Sequence, residues 1–279
     1  MELQQSILYK TYIESLGWSV ATLDGTHIFY RNLPLLGVFA KIQRPETLPY
    51  LPKLIPFLRN LRVRSVAVDP LSTTDQEEFS QWMKSLKKFF PLAKEPFLPT
   101  KTILIDISLP EKEMFQRFSE AKRRAVRRAE KNGIEIIRST DIDAFVDIKS
   151  KAAGMLGGMT THGVKRMWNL YKNDHAAILF AKEKNSHEIL GGVLLLFWEG
   201  IAYYWIAGAT KKGKKLFVPT PLVWESLKEG KKHNCTLFDF VGVWDERMPK
   251  QNTAWLGFTK FKEGFGGTPL YYPIRNPTE

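Results

Sequence analysis

The run Leu237-Phe238-Asp239-Phe240-Val241-Gly242 constrains this chain more than any other segment. It is apolar apart from one carboxylate, so it reads as a strand closed by a glycine. Burying that carboxylate is costly unless it is paired. Asp239 therefore needs a cation or a cluster of backbone N–H groups beside it. The segment just upstream, Pro219 to Lys232, has helical spacing. Further back, residues 176–182, 190–198 and 201–207 read as an antiparallel meander with Glu199-Gly200 as a tight turn.

The rest of the chain repeats this alternation. Short strands are expected at 18–21, 27–31, 37–43, 63–68, 101–107, 134–137 and 237–241. Residues 48–61 are helical but carry Pro49, Pro52 and Pro56, so that helix is broken or short. Residues 74–89 form an amphipathic helix, with Thr73 or Thr74 as cap and Glu77 or Glu78 in its first turn. Residues 92–100 form a connector through Pro96 and Pro99. Pro110 opens a basic helical region that Asn132-Gly133 stops, with an apolar stripe of Phe118, Ala121, Ala125 and Ala129 and Val126 beside it. Helices follow at 142–152 and 164–172. The implied class is α/β (α+β) in two similar layers. The expected domains are 1–133 and 134–267, with 268–279 returning to the first.

Residues 257–267 pack two lysines, three phenylalanines and four glycines into one short stretch. Read as a strand over 259–262, it puts Lys260 and Lys262 on one face and Phe261 on the other. Two cations on a rigid element can stabilise a transient anion. Lysines on an edge strand also serve simply to block edge pairing, and both readings stay open at this point.

Lysine and arginine number 41 against 29 aspartates and glutamates, a net charge of +12. Such an excess favours polyanions: nucleic acid, an anionic membrane surface or phosphorylated metabolites. Much of it falls in one expected helix, at Arg117, Lys122, Arg123, Arg124, Arg127, Arg128 and Lys131. The single cysteine, Cys235, is expected to be buried and inert. His27, His162, His175, His187 and His233 lack metal-ligand spacing. No apolar run approaches the roughly 20 residues of a membrane span, and the first residues do not read as a signal peptide. A soluble, cytoplasmic protein is the expectation.

Several of these segments together resemble the Fem family (FemABX type) of aminoacyltransferases, within the acetyltransferase-like (GNAT) superfamily. Residues 123–134, Arg-Arg-Ala-Val-Arg-Arg-Ala-Glu-Lys-Asn-Gly-Ile, resemble that family's Arg-x-x-(Ile/Val)-Arg-x-Ala-Glu-x-x-Gly segment. Residues 102–108 resemble the strand entering it. Gly191-Gly192-Val193, Tyr203-Tyr204 and Gly208-Ala209 fit its central strands, and Phe261-Lys262-Glu263-Gly264-Phe265-Gly266 fits its Phe-Lys-x-x-Phe-Gly. The similarity covers most of 100–270 and is loose before residue 100.

The resemblance implies two tandem GNAT-like domains and transfer of an amino acid from aminoacyl-tRNA to the stem-peptide amine of a peptidoglycan precursor, either UDP-MurNAc-pentapeptide or lipid II. It implies no metal and no organic cofactor. It gives Lys262 the catalytic place, with Lys260 as competitor. It points to Lys41 and Arg44 for nucleotide phosphates, to Arg166 and Tyr171 for the acceptor, and to Tyr203 or Tyr204 for the cleft wall. Asp239 is open between a structural role and that of base. A monomer, at most peripheral to the membrane, fits these features. Two other readings stay open. One is an acyl-coenzyme A-dependent GNAT N-acyltransferase, whose pyrophosphate loop would be Thr210 to Lys215. The other is a non-catalytic RNA-binding protein.

Overall fold

The computed structural model describes residues 1–154, 157–184, 186 and 188–275. It divides into two compact units, Met1–Lys101 with the chain from Leu270 onward, and Thr102–Pro269.

In the first unit a 3-10 turn at Leu3–Gln5 leads into α1 (Ile7–Ser15), which the sequence pattern did not announce. Then come β1 (Ser19–Leu23), β2 (Thr26–Leu33), β3 (Gly37–Gln43), α2 (Leu51–Asn60), β4 (Val63–Asp69) and α3 (Gln76–Lys87). The sheet order is β1-β2-β3-β4. β1, β2 and β3 are antiparallel neighbours, and β4 joins β3 in parallel through the α2 crossover. Leu54 and Leu58 of α2 and Phe79, Met83 and Leu86 of α3 bury against Ile28, Ala40, Ile42, Val66 and Val68. α2 is short, as its prolines require, but it is not broken: Pro52 sits in the first turn and Pro56 inside. The cap of α3 is Asp75 rather than Thr73 or Thr74, because its carboxylate accepts from the N–H groups of Glu77 and Glu78.

The second unit runs β5 (Lys101–Asp106), α4 (Glu111–Arg117), α5 (Glu120–Lys131), β6 (Ile134–Ser139), α6 (Ile142–Ala153), α7 (Gly157–Thr161), α8 (Val164–Tyr171), β7 (Ala176–Glu183), β8 (Ile189–Trp198), β9 (Ile201–Ala209), α9 (Lys211–Lys215), α10 (Pro219–Lys232), β10 (Leu237–Asp239), a 3-10 turn at Thr253–Trp255, α11 (Leu256–Glu263) and β11 (Thr268–Tyr271). The sheet order is β11-β5-β10-β9-β8-β7-β6. The meander β7-β8-β9 forms as expected, and Glu199 and Gly200 both take positive φ at its turn. On one face Val126 and Ala129 of α5 and Leu222, Val223 and Leu227 of α10 pack against Ile103, Ile105, Leu179, Val193, Leu195 and Phe238. α6 packs against β7, β8 and β9, and α8 packs against α6. Residues 102–133 thus pack with the second unit, not with the first as the pattern suggested, since Ile103, Phe118 and Val126 share its core.

Two corrections concern the basic and lysine-rich segments. The basic region is two helices, with Phe118 and Ser119 between them. Phe118 turns inward as an aromatic wedge, and Ser119 Oγ caps α5 at Lys122 N–H. Ala121, assigned to the apolar stripe, is exposed. Residues 259–262 are helical, not a strand. The chain leaves α11 through Gly266 at φ +76°, where a Cβ would lie 2.3 Å from Arg117 O.

Phe118 meets Trp224 and Phe265 edge-on, with centroids 5.5 and 5.0 Å away. Phe118→Ala should destabilise the second unit by about 3–5 kcal/mol, read as a lower urea midpoint. A change under ~1 kcal/mol would mean that this wedge does not hold α4, α10 and α11 together.

Candidate active site

β10 pairs in parallel with β9 only from Leu237↔Ile201 to Asp239↔Tyr203. β9 continues alongside β8 as far as Gly191↔Ala209. The two strands therefore part after Tyr203 and Asp239. β10 stops two residues before the expected end because Val241 and Gly242 take φ +60° and +126°. This bend directs successive backbone groups towards side chains instead of a neighbouring strand.

Asp239, 7% exposed, sits at the bend. Its Oδ1 accepts from Val241 N–H at 2.7 Å and from the Thr102 hydroxyl. Thr102 Oγ1 in turn accepts from Gly242 N–H at 3.1 Å. One backbone N–H and one hydroxyl reach the buried carboxylate, and Thr102, 137 positions away in sequence, links it to a second N–H. No sequence signal marks Thr102.

Lys262 reaches the same bend from α11. Its Nζ donates to Phe240 O at 2.9 Å and Gly242 O at 2.6 Å. Burial pulls its pKa down to about 8, while the Asp239 charge opposes that shift. Lys260, two residues away on a helix, points about 200° from it and is exposed. The two lysines do not share a face, as a strand would have required. Thr259 anchors α11: its hydroxyl donates to Trp255 O at 3.0 Å and accepts from Trp244 N–H at 2.8 Å. Lys122, read in the sequence only as one cation of the basic helix, has its Nζ 3.7 Å from the Phe261 ring centre and 5.0 Å from that of Phe265. Burial brings its pKa to about 8 as well.

Tyr203 is buried beside Asp239 in register, on the face opposite Phe238. Tyr204 packs its ring against Phe238 and Phe240 at 6.0 and 5.7 Å, and desolvation raises its phenol pKa. Tyr171 is fully buried with its ring edge towards His175. Arg166 is exposed on α8. Cys235 is buried, with its thiol pushed up to about 11 by desolvation. Thr210 to Lys215 does not form an open loop. Thr210 caps α9 by accepting from Gly213 N–H, and Gly213 presses on Leu190 O, where a Cβ would come within 2.3 Å. Among the described residues no group of three metal-ligating side chains converges; His187 lies outside them.

In the first unit Lys41 is 5% exposed, its Nζ 4.4 Å from the Trp18 ring centre and 5.2 Å from that of Phe97. Burial lowers its pKa to about 8, and the nearby Asp69 carboxylate counters this. Burial raises the Asp69 pKa, against the charge of Arg44 and the N–H groups of Leu98 and Phe97. Arg44, at φ +50°, donates to Pro70 O at 2.5 Å and Pro99 O at 2.6 Å and stacks 3.3 Å over Tyr272. Its guanidinium is therefore tied into the scaffold, whereas Lys41 meets aromatic walls.

The segment holding the bend, α10 and α11 decides the family comparison. Residues 164–271 match the FemAB family. The resemblance to the Fem family read from the sequence is borne out. The FemAB segment contains Lys262, Asp239, Tyr203 and Tyr204, while Lys41 and Arg44 precede it. The fold is similar to that of FemX, with a TM-score of 0.76 at 17% identity over 97% of this chain and 90% of that one. It is also similar to the C-terminal domain of a putative lysylphosphatidylglycerol synthetase from Agrobacterium fabrum, at 0.61 and 13% over 94% and 85%. A tandem GNAT protein from the clavulanic acid biosynthesis pathway follows at 0.52 and 10%, over 91% and 79%. The GNAT-like α/β class is thereby confirmed. No curated protein sequence matches this chain. No helix among the described residues is long and apolar enough to cross a membrane.

Thr102→Val should cost about 1–3 kcal/mol, because it leaves Gly242 N–H unpaired and strips a donor from Asp239. An unchanged denaturation midpoint would refute this network. For Lys262 the folded pKa lies below the ordinary 10.5, so the unfolded chain binds more protons between about 8 and 10.5. Stability relative to Lys262→Met should therefore rise as pH climbs through that window and level off above it. Parallel urea titrations of the two proteins would show a flat difference if the ammonium were freely hydrated.

Proposed function

We propose that this chain is an aminoacyltransferase that moves an amino acid from aminoacyl-tRNA onto an amine of a peptidoglycan precursor. The observation that carries this reading is the Lys262 ammonium, fixed by two backbone carbonyls where β9 and β10 part, inside the FemAB match. An ammonium has three donors, and two are committed here. The reading assigns the third to the oxygen of the acyl group under attack.

In this reaction the acceptor amine adds to the ester carbonyl carbon. A C–N bond forms, and the carbonyl electron pair moves onto oxygen. A cation already in place stabilises that oxyanion without reorganisation, which is worth roughly 10²–10³ in rate per donor. Collapse of the tetrahedral centre breaks the ester C–O bond, and the proton released from the amine nitrogen ends on the ribose oxygen as a hydroxyl. Asp239 keeps the bend in shape through Val241 and Thr102, and its charge offsets part of the cost of burying Lys262. Lys41, walled by aromatic rings, is the first-unit residue we assign to a phosphate of the nucleotide-linked acceptor. Arg44 is committed to carbonyls and contributes shape. At the start of α9 the Thr210 side chain takes the Gly213 N–H and Gly213 lies tight against Leu190 O, so one backbone donor that a coenzyme A diphosphate would use at a helix start is occupied, which favours this reading. We read the protein as cytoplasmic and monomeric.

Incubation with a pool of charged tRNAs and UDP-MurNAc-pentapeptide should raise the mass of the precursor by one aminoacyl residue. Lys262→Met should slow this by about 10²–10³. For the wild type, kcat/KM should fall as pH passes about 8, because the ammonium is then lost. No mass change with either UDP-MurNAc-pentapeptide or lipid II, combined with acetylation of small amines from acetyl-coenzyme A, would overturn the assignment.

A further inference from the structure

α5 places Arg124, Arg127, Arg128 and Lys131 at positions i, i+3, i+4 and i+7, all exposed, while Val126 and Ala129 point inward. This cationic stripe is about 10 Å long at 1.5 Å per residue. It opposes itself: Arg124–Arg127, Arg124–Arg128, Arg127–Lys131 and Arg128–Lys131 are like-charge neighbours, each costing an isolated helix about 0.2–0.5 kcal/mol. The relief the structure offers is slight. Arg124 pairs with Glu120, both exposed, and such pairs contribute little. Glu130 lies at the flank of the stripe.

The helix that carries the stripe is anchored near both ends. At its far end the Arg128 guanidinium lies 4.9 Å from the Phe217 ring centre, just past Lys214 and Lys215 of α9, which are also exposed. At its near end Ser119 N–H donates to Gly264 O at 2.8 Å, and Lys122 sits on Phe261, so the start of α5 is fastened to the helix that carries Lys262.

We propose that Arg124, Arg127, Arg128 and Lys131 of α5, with Lys214 and Lys215, form the docking surface for the sugar-phosphate backbone of an RNA arm. This rests on the aminoacyl-tRNA reading for the identity of the RNA, but the surface is argued from the stripe itself. An anionic bilayer is another polyanion that such a face could meet. Basic faces that lie on bilayers add apolar side chains that enter the headgroup boundary. Among the described residues none of the large exposed apolar side chains lies on α5 or α9.

The test uses the full chain, unfractionated deacylated tRNA and, separately, vesicles of phosphatidylglycerol and phosphatidylcholine. Binding of the wild type to tRNA should weaken steeply with salt. The charge-reversed R124E/R127E/R128E protein should bind at least about tenfold more weakly at low salt, with the log–log slope shallower by about 2–3, close to 0.7–0.9 per phosphate contact removed. K214E/K215E should act in the same direction by a smaller factor. Arg→Gln versions, with circular dichroism melts, guard against loss of folding. An unchanged tRNA affinity and slope in the reversed protein would overturn the proposal, as would loss of vesicle binding with tRNA binding intact. Failure of the transfer reading shows itself differently: tRNA binding lost by reversal while neither protein transfers an amino acid. Transfer with wild-type KM for charged tRNA in the reversed protein would sink the surface and spare the transfer reading.

Discussion

The hydrogen-bonded bend after β10 is the constraint on which the second unit depends. A carboxylate, a threonine hydroxyl and an ammonium from three distant parts of the chain meet around Phe240, Val241 and Gly242. Each component is costly alone: a buried aspartate, backbone groups without a ladder partner, and a lysine drawn out of water. Together the groups satisfy one another, and the strand can leave its neighbour without orphaning its own polar atoms. The parting of β9 and β10 follows from that exchange of partners.

The aromatic packing behind the bend serves the same end. Phe240 lies 5.7 Å from Phe265, and Phe265 meets Phe118 and Phe261. This chain of rings fixes α11 against α4, α5 and α10, so Lys262 is presented by rigid elements. Lys122 completes the arrangement as a cation over the same rings. The start of the basic α5 helix and the Lys262 helix are thus held together.

Much of the fold was legible in the residues. The meander, its Glu199-Gly200 turn and α10 from Pro219 to Lys232 were all readable, because apolar period and turn chemistry agreed there. The failures were local and physical. Residues 259–262 alternate lysine and phenylalanine as a strand would, yet they fold as a helix, since Thr259 bonds back to Trp255 and Phe261 meets Phe265 one turn on. Phe118 was read as part of a helical stripe and instead interrupts the helix, because the core accepts its ring only from a break. The need of Asp239 for partners was legible; Thr102 as its partner was not, since nothing local links the two.

By itself the sequence determined the alternation of strands and helices, the excess of cationic side chains and the demand of one carboxylate in an apolar strand for hydrogen-bond donors. These are properties of residue type and period, which act over a few positions of chain. Which lysine turns inward, which threonine supports the carboxylate, and that four cations of α5 face outward while Lys122 turns to the rings beside α11 were decided only by tertiary structure. Those outcomes depend on which surfaces bury together across more than a hundred residues, where packing and desolvation outweigh local preference.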